Sequence, residues 1–262
     1  MEVHHHPEVG KKTFKEYLLE GLMIFIAVTL GFFAESLREH IQRGSHEANY
    51  ARAFAADLRV DTARINDAVE LNIYDLVGLD SLQDLLLARN FTPERVLRAY
   101  KLQNNMKSPG MVLFSEGTYK QLHGTGDARL IHDSVAAAIE DYHQQVQDCQ
   151  NLYTYYDVQM RRMVDVGKNL FRPQYLFGAF SRYVNASDTA IHIDKRFHHA
   201  LDSMSAVKPL TFATDDPKVM DNYSSDLGFH IEIIFSYIRD TQAVRKSAVA
   251  LLKLLHRYYD ID

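Results

Sequence analysis

Residues 11–40 read KKTFKEYLLEGLMIFIAVTLGFFAESLREH, and the fold turns on how this stretch is interpreted. From Gly21 to Ala34 it carries no charge, a run of 14 residues bounded by Glu20 and Glu35. A hydrocarbon core ~30 Å thick needs ~20 residues of helix, so that run alone is short. Widening it to Tyr17–Leu37 gives 21 residues interrupted only by the two glutamates. Each glutamate lies within a turn of an end, where a carboxylate reaches headgroups and water. The expectation is a single transmembrane anchor over 13–42, behind a flexible tail at 1–12. Two other readings compete. Lys11, Lys12 and Lys15 would suit the basic flank of a cleaved signal peptide, but Phe32-Phe33-Ala34 lacks a small-x-small cleavage site and Glu35 follows at once. The other is a buried helix of a soluble core, where an apolar run of this length is also found.

The anchor is patterned. At ~100° per residue, Ala27 and Gly31 fall within about 20° of Glu20, with Glu35 about 60° round. Ala27-x-x-x-Gly31 is a small-xxx-small pair, which lets helix backbones approach closely in a membrane. The stripe Glu20, Ala27, Gly31, Glu35 is therefore the expected association face, toward a second copy of the chain or another membrane protein, with Met23, Ile26, Leu30 and Phe33 elsewhere for membrane lipid. A ring of copies around Glu20 and Glu35 is the channel or transport-accessory alternative, though carboxylates near the ends suit snorkelling better than an ion path. Orientation is close to a tie by charge, with Lys11, Lys12 and Lys15 before the span and Arg38, Arg43 and Arg52 after it. His4, His5 and His6 in the tail offer a metal no fixed geometry.

Outward from the anchor, composition sets bounds. The chain has 262 residues, 47% hydrophobic and 24% charged, with 12 Gly and 6 Pro. That excludes collagen-like and low-complexity classes, and the low Gly plus Pro favours long helices. A net charge of −5 leaves no general electrostatic footprint for nucleic acid. One cysteine, Cys149, excludes an intramolecular disulfide and any CxxC site.

The remainder reads as helix after helix. Tyr50, Phe54, Leu58, Ile65, Val69, Ile73 and Leu76 recur at three, four or seven residues, so the first domain helix continues from the anchor with Gly44-Ser45 as the expected bend. Thr92-Pro93-Glu94 is a helix start, ending near Asn104-Asn105. A second long helix runs from Ser134 to about Phe171 and stops at Arg172-Pro173. Residues 174–214 suggest shorter helices and irregular chain. Thr214-Asp215-Asp216-Pro217 opens a third long helix that continues almost to the end. Three such faces need one another, so the expectation is an all-α protein in which 43–262 forms a long antiparallel helical bundle.

Catalytic motifs give little. His192, Asp194, His198, His199 and Asp202 cluster in one segment; on a helix Asp194, His198 and Asp202 drift to one face, which makes His192, Asp194 and His198 the metal candidates and a metal-dependent enzyme the minority reading. No HExxH or paired Glu-x-x-His accompanies them. His123-Gly124-Thr125-Gly126-Asp127 lacks the strand and the Lys-Ser/Thr of a phosphate loop and reads as a helix cap and turn. Ser115 has no nucleophile-elbow context. Tyr153, Tyr155 and Tyr156 suit core and boundary positions. The reading is a non-enzymatic protein without a cofactor.

Two segments together resemble a known family. KEYLLEGLMIFIAVTLGFFAESLREHI and FSEGTYKQLHGTGDARLIHDSVAAAIEDYH are similar in order and spacing to a family of bacterial single-pass inner-membrane proteins with a helical domain of unassigned activity. Its aromatic-x-x-Leu-x-x-x-Gly-x-x-x-x-Ile turn is matched by Tyr119, Leu122, Gly126 and Ile131, and Tyr142 opens its Tyr-rich helix. The match covers about a third of the chain and leaves 170–262 aside. The histidine-rich tail and the short uncharged run depart from the family pattern. The resemblance implies a cytoplasmic tail, an extracytoplasmic domain and no particular activity.

Overall fold

The computed structural model describes residues 13–106, 110–183, 190–259 and 261, with side chains described outside 180–183 and 190–193. Among these residues the structure is helical without strands. In chain order the helices are α1 (Phe14–Leu87), α2 (Pro93–Gln103), α3 (Gly117–Gly124), α4 (Asp133–Leu170), α5 (Pro173–Tyr183), α6 (Ala190–Val207) and α7 (Pro217–Tyr258). A short 3₁₀ turn at Asp127–Leu130 joins α3 to α4.

Local chemistry sets the boundaries. Pro93 and Pro217 each occupy a first helical turn, where the missing N–H costs nothing. Asp216 caps α7 by accepting the Lys218 N–H at 2.9 Å. Gly126, at φ 73°, supplies the left-handed residue between α3 and the 3₁₀ turn. Gly44-Ser45 does not break α1, which is one hydrogen-bonded helix of 74 residues, roughly 110 Å at ~1.5 Å per residue.

The core follows from spacing. Buried positions on α1 run 51, 54, 58, 61, 65, 68, 72, 75, 79, 82, 86, alternating three and four. Those on α7 do the same from Met220 through Leu227, Ile234 and Ala248 to Leu255. On α4 the stripe passes Val135, Ile139, Tyr142, Val146, Cys149, Tyr156, Met163 and Leu170. This is the seven-residue repeat of helices that pack knobs into holes. The expected α1 face is corrected in its second half. Ile73 is 44% exposed and the buried stripe instead takes Asn72 and Asp75. The seam keeps its 3.5 spacing by accepting polar side chains that find partners. The Asn72 amide donates to the carbonyls of Ala68 (2.7 Å) and Gly110 (3.1 Å) and accepts the Gly110 N–H at 3.2 Å.

Cross-helix contacts give the mutual arrangement. Tyr258 stacks on His132 and Thr241 lies 3.4 Å from Cys149, while further along Tyr156 meets His230 and Gly167 faces Tyr223, so numbers rising on α4 meet numbers falling on α7. The same holds for α1 and α7, where Tyr259 donates to Glu47 and Arg89 pairs with Asp221. Beyond Leu87, an aromatic cluster of Phe91, Tyr100, Phe171, Tyr175, Phe212 and Tyr223 closes the end of the helices, with rings 5.2–6.2 Å apart.

Candidate functional site

Burial begins at Tyr50; from Thr13 to His46 every residue is exposed. Phe14, Leu18, Leu22, Phe25, Leu30, Phe33, Leu37 and Ile41 thus lie bare on a helix that is long and apolar enough to cross a membrane, and none of its most apolar window is buried. Backbone polar groups are satisfied within the helix, and the Thr29 hydroxyl donates to the Phe25 carbonyl at 2.8 Å, which lets this segment enter hydrocarbon without an orphaned donor. Ala27 and Gly31 share the exposed surface, and a Cβ built at Gly31 would meet nothing within 4 Å. Glu35 is held by Arg38 one turn on, and Glu39 by Arg43 at 2.8 Å.

Where this helix meets the bundle there is a polar cleft of about 610 Å³, lined chiefly by Glu39, Gln42, Arg43, His46, Asp127 and Arg129. Its second wall is the 3₁₀ turn, pinned to α1 because Tyr50 donates to Asp127 at 2.8 Å, while Thr125 donates to the same carboxylate from the preceding turn at 2.8 Å. Those hydrogen bonds, from Thr125 first and then Tyr50, hold the Asp127 carboxyl below the usual range, with His46 and Arg129 adding attraction. Sequence reasoning took this Gly-rich turn as a cap and missed the cleft. Its two walls are some 85 residues apart in the chain, on the order of the helical hairpin that brings them together.

Deeper in, the core holds two polar layers. Asp61, fully buried, accepts the Tyr142 hydroxyl (2.8 Å) and the Ser115 N–H (2.9 Å), with the Arg64 guanidinium 3.8 Å away. Burial, and then the Asp61 charge, push the Tyr142 phenol far up. Further along, the fully buried His230 lies 5.2 Å from the Tyr156 ring, and Asp75 acts on Tyr156 from α1. Neither His230 ring nitrogen has a hydrogen-bond partner among the described residues. Burial lowers the imidazole to about 4.

Of the metal candidates, Asp194 and His198 lie against α2 and its C-terminal cap. Asp194 accepts the Asn104 amide at 2.8 Å, Asp202 accepts the Lys101 ammonium at 2.5 Å, and His198 bonds the Lys101 backbone. Burial lowers the His198 pKa. His192 and His4, His5 and His6 lie outside the described side chains. Among the described residues no group of three His, Cys, Asp or Glu is placed to hold a metal ion. Cys149 is buried, and that burial raises its thiol, which disfavours the reactive thiolate. Comparison with protein-family models, curated proteins and solved structures finds no match to this chain.

Proposed function

We propose that this chain is a single-pass membrane-anchored helical scaffold, assembly or sensor subunit without catalytic activity. The observation that carries the reading is the continuity of α1: one helix is bare over 14–41, with its apolar window there, and becomes a core helix of the bundle from Tyr50 onward. Bare apolar surface of this extent would be a liability in water and is at home in lipid. A helix without a break couples what happens in the membrane to the packing of the domain, which suits an assembly or sensing element. The opposed numbering of α1 and α4 against α7 supports an antiparallel bundle. The family resemblance of the anchor and of the Tyr119–Ile131 turn supports a bacterial inner-membrane protein whose domain is extracytoplasmic. Glu35, taken up by Arg38 on its own helix, lends no support to a channel lined by that carboxylate.

Association runs through the stripe Glu20, Ala27, Gly31 and Glu35, with a second copy or another membrane protein as occupant. Replacing both Ala27 and Gly31 by Leu tests it. Gly31 has open space around it, so a single chain accommodates the larger side chain and only a neighbouring helix is excluded. In mild detergent the full-length double variant should run as a smaller particle than the wild type and recover less cross-linked partner. Unchanged size together with unchanged recovery would overturn this association face.

A further inference from the structure

The cleft between α1 and the 3₁₀ turn stands at a defined height, and this is the basis of an inference that rests on the membrane reading above. With Tyr17–Leu37 in hydrocarbon and ~1.5 Å of rise per residue, Glu39 stands roughly 3 Å and Arg43 roughly 9 Å beyond the boundary. A bilayer of ~40–45 Å around a ~30 Å core has a headgroup layer of about 5–7 Å on each side. Glu39 therefore lies within the headgroup layer, and the Arg43 guanidinium, whose backbone stands just above that layer, reaches back to Glu39 at 2.8 Å and so to the same level.

The cleft's chemistry is of both signs. Arg43 and Arg129 present two guanidinium groups, the side chain best matched to phosphate because its donors are planar and paired. Arg129 makes no hydrogen bond or ion pair among the described residues, and its attraction to Asp127 acts through space. Asp127 is already engaged by Tyr50 and Thr125. Glu39 has one oxygen on Arg43 and is half exposed. The cleft thus pairs cations suited to a phosphate with a carboxylate suited to an ammonium, a near-neutral site for a near-neutral ligand.

We propose that this cleft binds the headgroup of a zwitterionic aminophospholipid, with Arg43 and Arg129 on the phosphate and Glu39 on the primary ammonium. A bound headgroup would fix the rotation of α1 in the bilayer and tie the Asp127–Leu130 turn to the membrane surface.

The test uses the full-length chain, delipidated in detergent, offered equal amounts of ethanolamine, choline and glycerol phospholipids, and weighed intact by native mass spectrometry. Wild type should retain ethanolamine lipid in preference to the other two, by about tenfold, the step corresponding to ~1.4 kcal/mol. The double variant Arg43→Gln, Arg129→Gln should lose that retention, while Glu39→Gln should keep a bound lipid but no longer distinguish ethanolamine from choline. Inorganic phosphate should not displace the lipid; displacement by phosphate alone would assign the cleft to the free anion and overturn the lipid assignment. Equal retention by wild type and double variant, or a preference for the glycerol headgroup, would also overturn it. Flotation of each variant with vesicles separates the two levels: if wild type fails to float, the membrane reading falls, whereas intact flotation with unaltered lipid retention defeats this inference alone.

Discussion

His230→Leu removes a buried imidazole whose two ring nitrogens have no hydrogen-bond partner among the described residues and replaces it by an apolar side chain of similar size. Burial holds the folded pKa at about 4 against 6.5 for a free imidazole. The sign follows: between these values the unfolded chain binds a proton that the folded chain refuses, so acid draws the equilibrium toward unfolding. The neutral ring's contribution is intact above pH ~6.5, falls by about 1 kcal/mol at pH ~5.5 and by about 3 kcal/mol near pH ~4, at ~1.36 kcal/mol per pKa unit. Leucine carries no such proton. It also relieves the desolvation of unpaired nitrogens, of order 1–3 kcal/mol. Hence the variant should be more stable than wild type at pH ~7.5 by about 1 kcal/mol or more, and the gap should widen by about 3 kcal/mol on acidification to pH ~4. Urea unfolding of the full-length chain in detergent, followed by circular dichroism at a series of pH values, measures both quantities. Because every other titrating group is common to the two proteins, their difference isolates His230. A difference that stays flat from pH 7.5 to 4, or a variant less stable at every pH, would refute the account of an unpartnered neutral imidazole in the seam.

Tyr142→Phe leaves the buried Asp61 carboxylate without its closest hydroxyl donor and should cost about 2 kcal/mol in the same unfolding assay, within the range for a hydrogen bond to a charged group. Gly78→Ala would drive a methyl group into the Asn105 side chain, so it should destabilise by about 1–3 kcal/mol, with Asn105→Ala in the same chain recovering most of the loss. An exposed Lys253→Cys should react with a membrane-impermeant maleimide in intact spheroplasts, while the native chain, whose buried Cys149 is the internal control, should not. Protection of that cysteine until lysis would place the domain on the cytoplasmic side.

How much of this was legible in the sequence varied with the kind of signal. Helix starts carried by a proline and its cap, at Thr92-Pro93 and Asp216-Pro217, lie where the residues imply, because their chemistry is local. The long apolar faces of α4 and α7 were equally plain. The α1 face was followed too far along its apolar residues, to Ile73, because a seam is defined by spacing and its polar members Asp61, Asn72 and Asp75 do not announce their partners. Those partners, Tyr142, Ser115 and Gly110, lie 38 to 81 residues away. The shared face of Glu20, Ala27, Gly31 and Glu35 follows from helical angle alone, and its role in association is the proposal made above. The cleft could not be read in this way, since Arg43 and Arg129 line one cleft only when α1 and the 3₁₀ turn are folded against each other. In the cluster around His198, Asp194 accepts from the Asn104 amide and Asp202 pairs with Lys101, partners 90 and 101 residues away that local spacing does not indicate.

The central claim is that α1 passes from lipid into the bundle without interruption. Extraction of membranes containing the full-length chain with alkaline carbonate, followed by sedimentation, tests it most directly. The account predicts that the protein stays with the membrane pellet in carbonate and in high salt and is released only by detergent. Appearance of the intact, folded chain in the carbonate supernatant without detergent would contradict it, and would return the apolar helix to the role of a core or interface element in a soluble assembly.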